Sequence, residues 1–138
     1  MMKVDVIWKG NIAFQAETSS GHRVVMDASP QAGGENRGPS PMETLLAAAG
    51  ACSGIDIVMI LEKMRLRVDA FSMEVSGERA EDHPRRFTRV HVHYRLEGDL
   101  PPDKVRRAVE LSRDKYCSVL RSLNAEVTTT FSINGVEY

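Results

Sequence analysis

The sequence predicts an α+β fold, a single domain over residues 1–138, on three observations. Three short β-branched runs precede one long apolar helix, residues 40–64. Two longer alternating runs follow it, and two helical segments then lead to a last Thr-rich strand. The order is β-β-β-α-β-β-α-α-β, with no repeat and no internal boundary.

The helix organises the rest. Ser40 suits an N-cap, Pro41 the first helical position, and Glu43 completes a capping box. From Leu45 to Leu61 the helix is apolar nearly all round, broken by Ser53, Asp56 and small residues. A helix of that length and composition fits either a bilayer or a protein core. Its Ala/Gly-rich first half, the cost of Asp56 in hydrocarbon (about 3 kcal/mol) and the lack of a second such segment favour the core. Six short strands in one layer cover only one face of such a helix, so a partner subunit is expected to cover the other.

The 138 residues are 42% hydrophobic and 27% charged with net charge -1, the composition of an ordinary globular domain. That charge gives no electrostatic case for binding nucleic acid or an anionic membrane. The opening MMKVDVIWKG has no apolar leader stretch, and a cytoplasmic location is expected. There two cysteines stay reduced or serve redox chemistry.

In chain order, residues 2–8, 13–18 and 23–27 read as strands, separated by Lys9-Gly10-Asn11 and Ser19-Ser20-Gly21 turns. The loop 29–39 is rich in Gly and Pro and carries Glu35 and Arg37; it lacks the Lys and Ser/Thr of a phosphate-binding loop. Residues 71–79 form a fourth strand. In 87–96, Phe87, Arg89, His91, His93 and Arg95 share one parity, and Thr88, Val90, Val92, Tyr94 and Leu96 the other. A second helix starts around Pro101-Pro102 with Val105, Ala108, Val109 and Leu111 at helical spacing. The pattern loosens over 112–116, a third helical segment covers 117–123, a strand covers 126–133, and Asn134-Gly135 is a turn.

The chemistry-bearing candidates are the two thiols. Cys52 lies in the apolar helix, a setting that raises a thiol pKa, and an ionised Asp56 one turn on would disfavour the thiolate further. A reactive Cys52 therefore needs a cation from elsewhere. Cys117 has Arg113, Lys115 and Arg121 within four residues, a local charge that favours its thiolate. Against both stands the reading of cysteine as a small core hydrophobe, with those cations as a solvated helix face. His91 and His93 share a strand face and could ligate a metal with His83 or a cysteine as a third ligand; a plain polar surface is the simpler reading. His22 reads as a turn or interface residue.

The segments SGHRVVMD, PMETLLAAAGAC, LSRDKYC and ERAEDHPRRFTRVHVHY, with the Gly-rich loop, resemble the OsmC and organic hydroperoxide resistance (Ohr) family, in its OsmC-like branch. The resemblance covers nearly the whole chain. It implies an OsmC-like fold, the long central helix packed with antiparallel sheets in an intertwined homodimer with thiol sites at the subunit interface. It further implies that Cys52 attacks the peroxide O–O bond and that Cys117 resolves the sulfenic acid as a disulfide, chemistry that a thiolate and a neighbouring thiol support.

Two positions depart from the family pattern. The family's ionic network uses a Glu ten residues before the first cysteine, where this chain has Met42; Glu43, nine before, falls about 180° away on a helix but is kept as a candidate support for the thiolate. The family's N-terminal Arg falls near Ala13 to Gln15, where no basic residue stands, leaving Arg23 and Arg37 as substitutes and His22 and Asp56 as accessory candidates. The resemblance thus implies a thiol-dependent reductase of organic hydroperoxides acting in oxidative stress defence. It needs no cofactor or metal and is recharged by a small-molecule dithiol or a lipoyl-type protein. The alternative is an OsmC-fold dimer that binds an apolar or electrophilic small molecule without turnover, its cysteines structural.

Overall fold

The computed structural model describes all 138 residues as two compact units, Met1–Leu45 and Leu46–Tyr138. The long helix α1 (Pro41–Lys63) crosses from one unit to the other. Its start is the expected capping box: the Ser40 amide donates to the Glu43 carboxylate at 2.9 Å, and the Glu43 amide donates to the Ser40 hydroxyl at 3.1 Å.

The first unit is an antiparallel meander, β1 (Val4–Trp8), β2 (Phe14–Thr18) and β3 (Arg23–Met26), at the three places the alternation predicted. Gly10 and Asn11 take positive φ in the first turn, where the Trp8 indole donates to the Asn11 carbonyl at 2.7 Å. The loop after β3 is built on one buried carboxylate. Asp27 accepts the amides of Ala28 (2.7 Å), Glu35 (3.2 Å) and Arg37 (3.1 Å), which with the Arg37 guanidinium hold its pKa below the ordinary value despite burial.

In the second unit, β4 (Ala70–Arg79), β5 (Phe87–Glu97), β6 (Glu126–Ile133) and β7 (Val136–Glu137) form one sheet in that order. The pairs β4·β5 and β6·β7 are antiparallel, but β5·β6 is parallel. A parallel neighbour needs a crossover, and the helical segments between these strands supply it: α2 (Pro102–Leu111), a π turn (Ser112–Tyr116) and α3 (Ser118–Ser122). The loosened pattern at 112–116 is this π turn, closed by the Cys117 amide donating to the Ser112 carbonyl at 2.8 Å. The residues beyond Asn134-Gly135, which carry no strand pattern, pair back as β7.

The core lies between the sheet and the helices: Ile57 and Leu61 of α1, Val92, Tyr94 and Leu96 of β5, and Val105, Ala108 and Val109 of α2. Gly50 and Gly54 bring α1 down onto β4, since a Cβ at either position would come within 2.8 Å of Val75 or Met73. The alternation in β5 holds with one exception. Phe87, expected on the polar side, is buried, because the ladder slips at Glu78/Arg79 and turns its ring over Gly77.

Candidate dithiol site

The site is assembled in the second unit from α1, β5 and the crossover. On α1, Ser53, Ile57 and Leu61 are buried while Cys52 and Asp56 are half-buried, so the thiol and the carboxylate lie at the margin of the packed face. Cys117 follows the π turn and caps α3, its sulfur accepting the Leu120 amide at 3.4 Å. Both cysteines are free, and Cys52 is close enough to Cys117 to act on its thiol. Spacing along the chain gave no such information; the crossover carries Cys117 back to the helix.

The environment of Cys117 overturns one expectation. Its side chain is fully buried, and that burial pushes the thiol up to about 11, opposed by the Leu120 amide and reinforced by Cys52. Two of the three cations near it in sequence are engaged elsewhere. Arg113 donates to both oxygens of Asp114 (2.7 and 2.9 Å) and to the Thr129 hydroxyl (3.0 Å), and Lys115 lies over the Tyr116 ring. Proximity in sequence did not become proximity of charge.

A buried row of hydroxyls underlies the thiols. Tyr94 of β5 hydrogen-bonds to Ser53 of α1, and Ser112 donates to Asp56 Oδ2 at 3.0 Å and reaches the Ser53 carbonyl at 3.4 Å. Burial raises the Tyr94 phenol to about 12, with the Ser53 hydrogen bond acting the other way. Sequence reasoning passed over Tyr94, Ser53 and Ser112. The available signal was a tyrosine on the buried parity of β5, since a buried phenol requires a partner.

Beside this row a cavity of about 400 Å³ opens between α1 and the crossover, lined by Met59, Ile60 and Leu111 with Asp56, Lys63 and Tyr116. Cys52, Asp56, Met59 and Lys63 follow one another at helical spacing, so the cavity runs along the face of α1 that carries the thiol.

The other candidates have partners of their own, Arg37, Glu43, Arg23 and His22 in the first unit and the β5 histidines in the second. Arg37 donates to the carbonyls of Lys9 (3.3 Å) and Gly10 (3.0 Å) and pairs with Asp27 at 3.7 Å, which makes it a brace of the loop. The Ser40 amide and hydroxyl hold the Glu43 pKa below the ordinary value, as the capping box requires. Arg23 is exposed and pairs loosely with Glu17 at 3.9 Å. His22 sits in the β2–β3 turn with Nδ1 3.0 Å from the Ser20 hydroxyl. On β5, the His91 ring meets the hydroxyls of Thr128 (2.7 Å) and Thr130 (3.0 Å), and His93 meets Thr130 at 2.6 Å. Threonines of the parallel neighbour thus hold both ring nitrogens of His91 and Nδ1 of His93, while His93 Nε2 faces the Glu137 carboxylate at 3.5 Å.

A fold of this topology, with a half-buried helix thiol against a buried crossover thiol, defines a two-cysteine α+β protein of the OsmC/Ohr type. The chain belongs to the OsmC-like protein family, whose profile matches residues 33–132. Protein YhfA of Escherichia coli K12 is 42% identical over 136 residues, 98% of each chain. A hypothetical protein from Aquifex aeolicus VF5 is similar in structure at TM-score 0.79 and 31% identity, over 96% of this chain and 97% of that one. An organic hydroperoxide resistance protein, OsmC, from Legionella pneumophila shares the fold at TM-score 0.73 and 18% identity, over 96% of both chains.

Proposed function

We propose that this protein is a thiol-dependent reductase of organic hydroperoxides, with Cys52 as the attacking thiol and Cys117 as the resolving one. The observation that carries the reading is the pairing of the two thiols with unequal access. Cys52 is half-buried at the margin of α1, whereas Cys117 is sealed in with its thiol at about 11. A thiol so held is a poor first nucleophile but is well placed to meet a sulfenic acid formed on its neighbour. The cycle converts Cys52–SH and ROOH to Cys52–SOH and ROH. Condensation with Cys117–SH then gives the disulfide and water, and a dithiol, small or lipoyl-type, restores both thiols. No cofactor enters, and the role fits oxidative stress defence in the cytoplasm. The name of the Legionella relative points the same way.

The working form is a homodimer of single-domain subunits. Support comes from uncovered apolar side chains in each unit, Trp8 and Val6 on β1, and Ile55, Val58 and Met59 on α1. The family match also runs unbroken across the division between the units.

The second reading, a dimer that binds a small molecule without turnover, draws on Arg37 and Glu43 being committed to loop and cap. Consumption of cumene hydroperoxide under excess dithiol separates the two. Turnover by the wild type that is lost in Cys52→Ser and slowed in Cys117→Ser is the expected result; a wild-type rate equal to that of dithiol alone leaves the binding reading.

A further inference from the structure

Thiolate attack on a hydroperoxide expels an alkoxide, a strong base that needs a proton as it leaves. Arg37 and Glu43 are engaged by the loop and the helix cap, so the proton source has to be sought on the face of α1 that carries Cys52. Asp56 is the only ionisable group on that face between Cys52 and Lys63. It stands at i+4 from Cys52, a spacing that puts Cβ atoms about 5–6 Å apart. One carboxylate oxygen is fixed by the Ser112 hydroxyl at 3.0 Å, and Ser112 is itself fully buried. The carboxyl also lines the apolar cavity in which the alkyl part of a substrate would lie. A single carboxylate, oriented by a buried hydroxyl and opening on an apolar cavity beside a thiol, has the placement of a proton-transfer group.

We propose that Asp56 is the proton carrier of this site, taking the Cys52 proton and delivering it to the departing alkoxide. Cys52–SH and the Asp56 carboxylate become Cys52–S⁻ and the carboxylic acid. The thiolate attacks the terminal peroxide oxygen, the S–O bond forms as the O–O bond breaks, and the sulfur is oxidised as the peroxide is reduced. The acid then protonates RO⁻ to ROH and returns to carboxylate. The groups around the pair are Lys63 on α1, Tyr116 on the π turn, and Tyr94 on β5, whose phenol senses Asp56, Cys117 and Arg113.

The inference rests on the peroxidase reading, and the test separates the two. Asp56→Asn keeps an oxygen for Ser112 but carries no proton to give. In a Cys117→Ser background, sulfenic acid formation by cumene hydroperoxide is followed from pH 5 to 9, beside alkylation of Cys52 by iodoacetamide, which expels iodide and needs no proton donor. The expected result is a fall of roughly 100-fold in sulfenylation at pH 7 with loss of one limb of the pH profile. Alkylation, which needs the Cys52 proton removed but none delivered, falls far less, and Asp56→Glu recovers part of the sulfenylation rate. Unchanged sulfenylation in Asp56→Asn, or equal losses in both reactions, overturns the role of Asp56 while leaving the peroxidase standing. A parent Cys117→Ser protein that forms no sulfenic acid overturns both.

Discussion

The Tyr94 phenol reaches from the buried face of β5 to the Ser53 hydroxyl on α1, so that one hydrogen bond joins the sheet to the central helix beside the apolar core. The two ways of breaking it are not equivalent. Tyr94→Phe removes one partner and leaves a serine that can turn back to its own helix carbonyls, a loss of about 1 kcal/mol. Ser53→Ala leaves a buried phenol without a partner, which costs up to about 3 kcal/mol. Urea unfolding of the two variants is expected to rank Ser53→Ala as the less stable.

Stability is expected to fall in alkali. Burial raises Tyr94 from an ordinary 10.0 to about 12 and Cys117 from 9.0 to about 11. Each folded value exceeds the unfolded one, so the unfolded chain releases its protons first. The contribution is complete below pH 9 and is lost as pH rises through 11 to 12. Urea midpoints measured between pH 8 and 11 should decline, and Cys117→Ala should remove the earlier part of the decline. A flat profile in the wild type would contradict the burial argument.

Gly77, near the end of β4, has the Phe87 ring over it, and an added Cβ would stand 2.5 Å from one ring carbon and 2.6 Å from another. Gly77→Ala should cost about 1–3 kcal/mol through displacement of the ring. Gly54→Ala should cost less, since its nearest obstacle is the flexible end of Met73 at 2.8 Å. Thermal unfolding of the pair checks the order.

The loop after β3 hangs on Asp27. Asp27→Ala deprives the Ala28, Glu35 and Arg37 amides of their acceptor and frees the Arg37 guanidinium from its carboxylate. Hydrogen exchange at those three amides should accelerate roughly tenfold or more, while the β4–β5 ladder stays protected. Equal acceleration in both places would mean that the loop does not open on its own.

Local patterns foretold most elements of this fold. The Ser40 cap, the alternation in β5 and the Asn134-Gly135 turn each depend on neighbours in sequence, and each is found where periodicity or turn chemistry places it. Non-local pairings left no such trace. The parallel partnership of β5 with β6 depends on the crossover path, and the nearness of Cys117 to Cys52 follows from it. Arg37 illustrates the same limit at the level of charge. A guanidinium in a Gly-rich loop looks free in sequence, but the β1–β2 turn presents two carbonyls to it and Asp27 a carboxylate.

The crossover places Cys117 at the far end of a long excursion from α1, so a Cys52–Cys117 bond would close a ring of roughly 65 residues containing most of the second sheet. Cross-linking a ring of that size restricts the unfolded chain by about 4 kcal/mol at room temperature. The oxidised protein should then melt well above the reduced one. Peroxide exposure would leave a thermal signature in the molecule itself, readable in a melting curve before any product is measured.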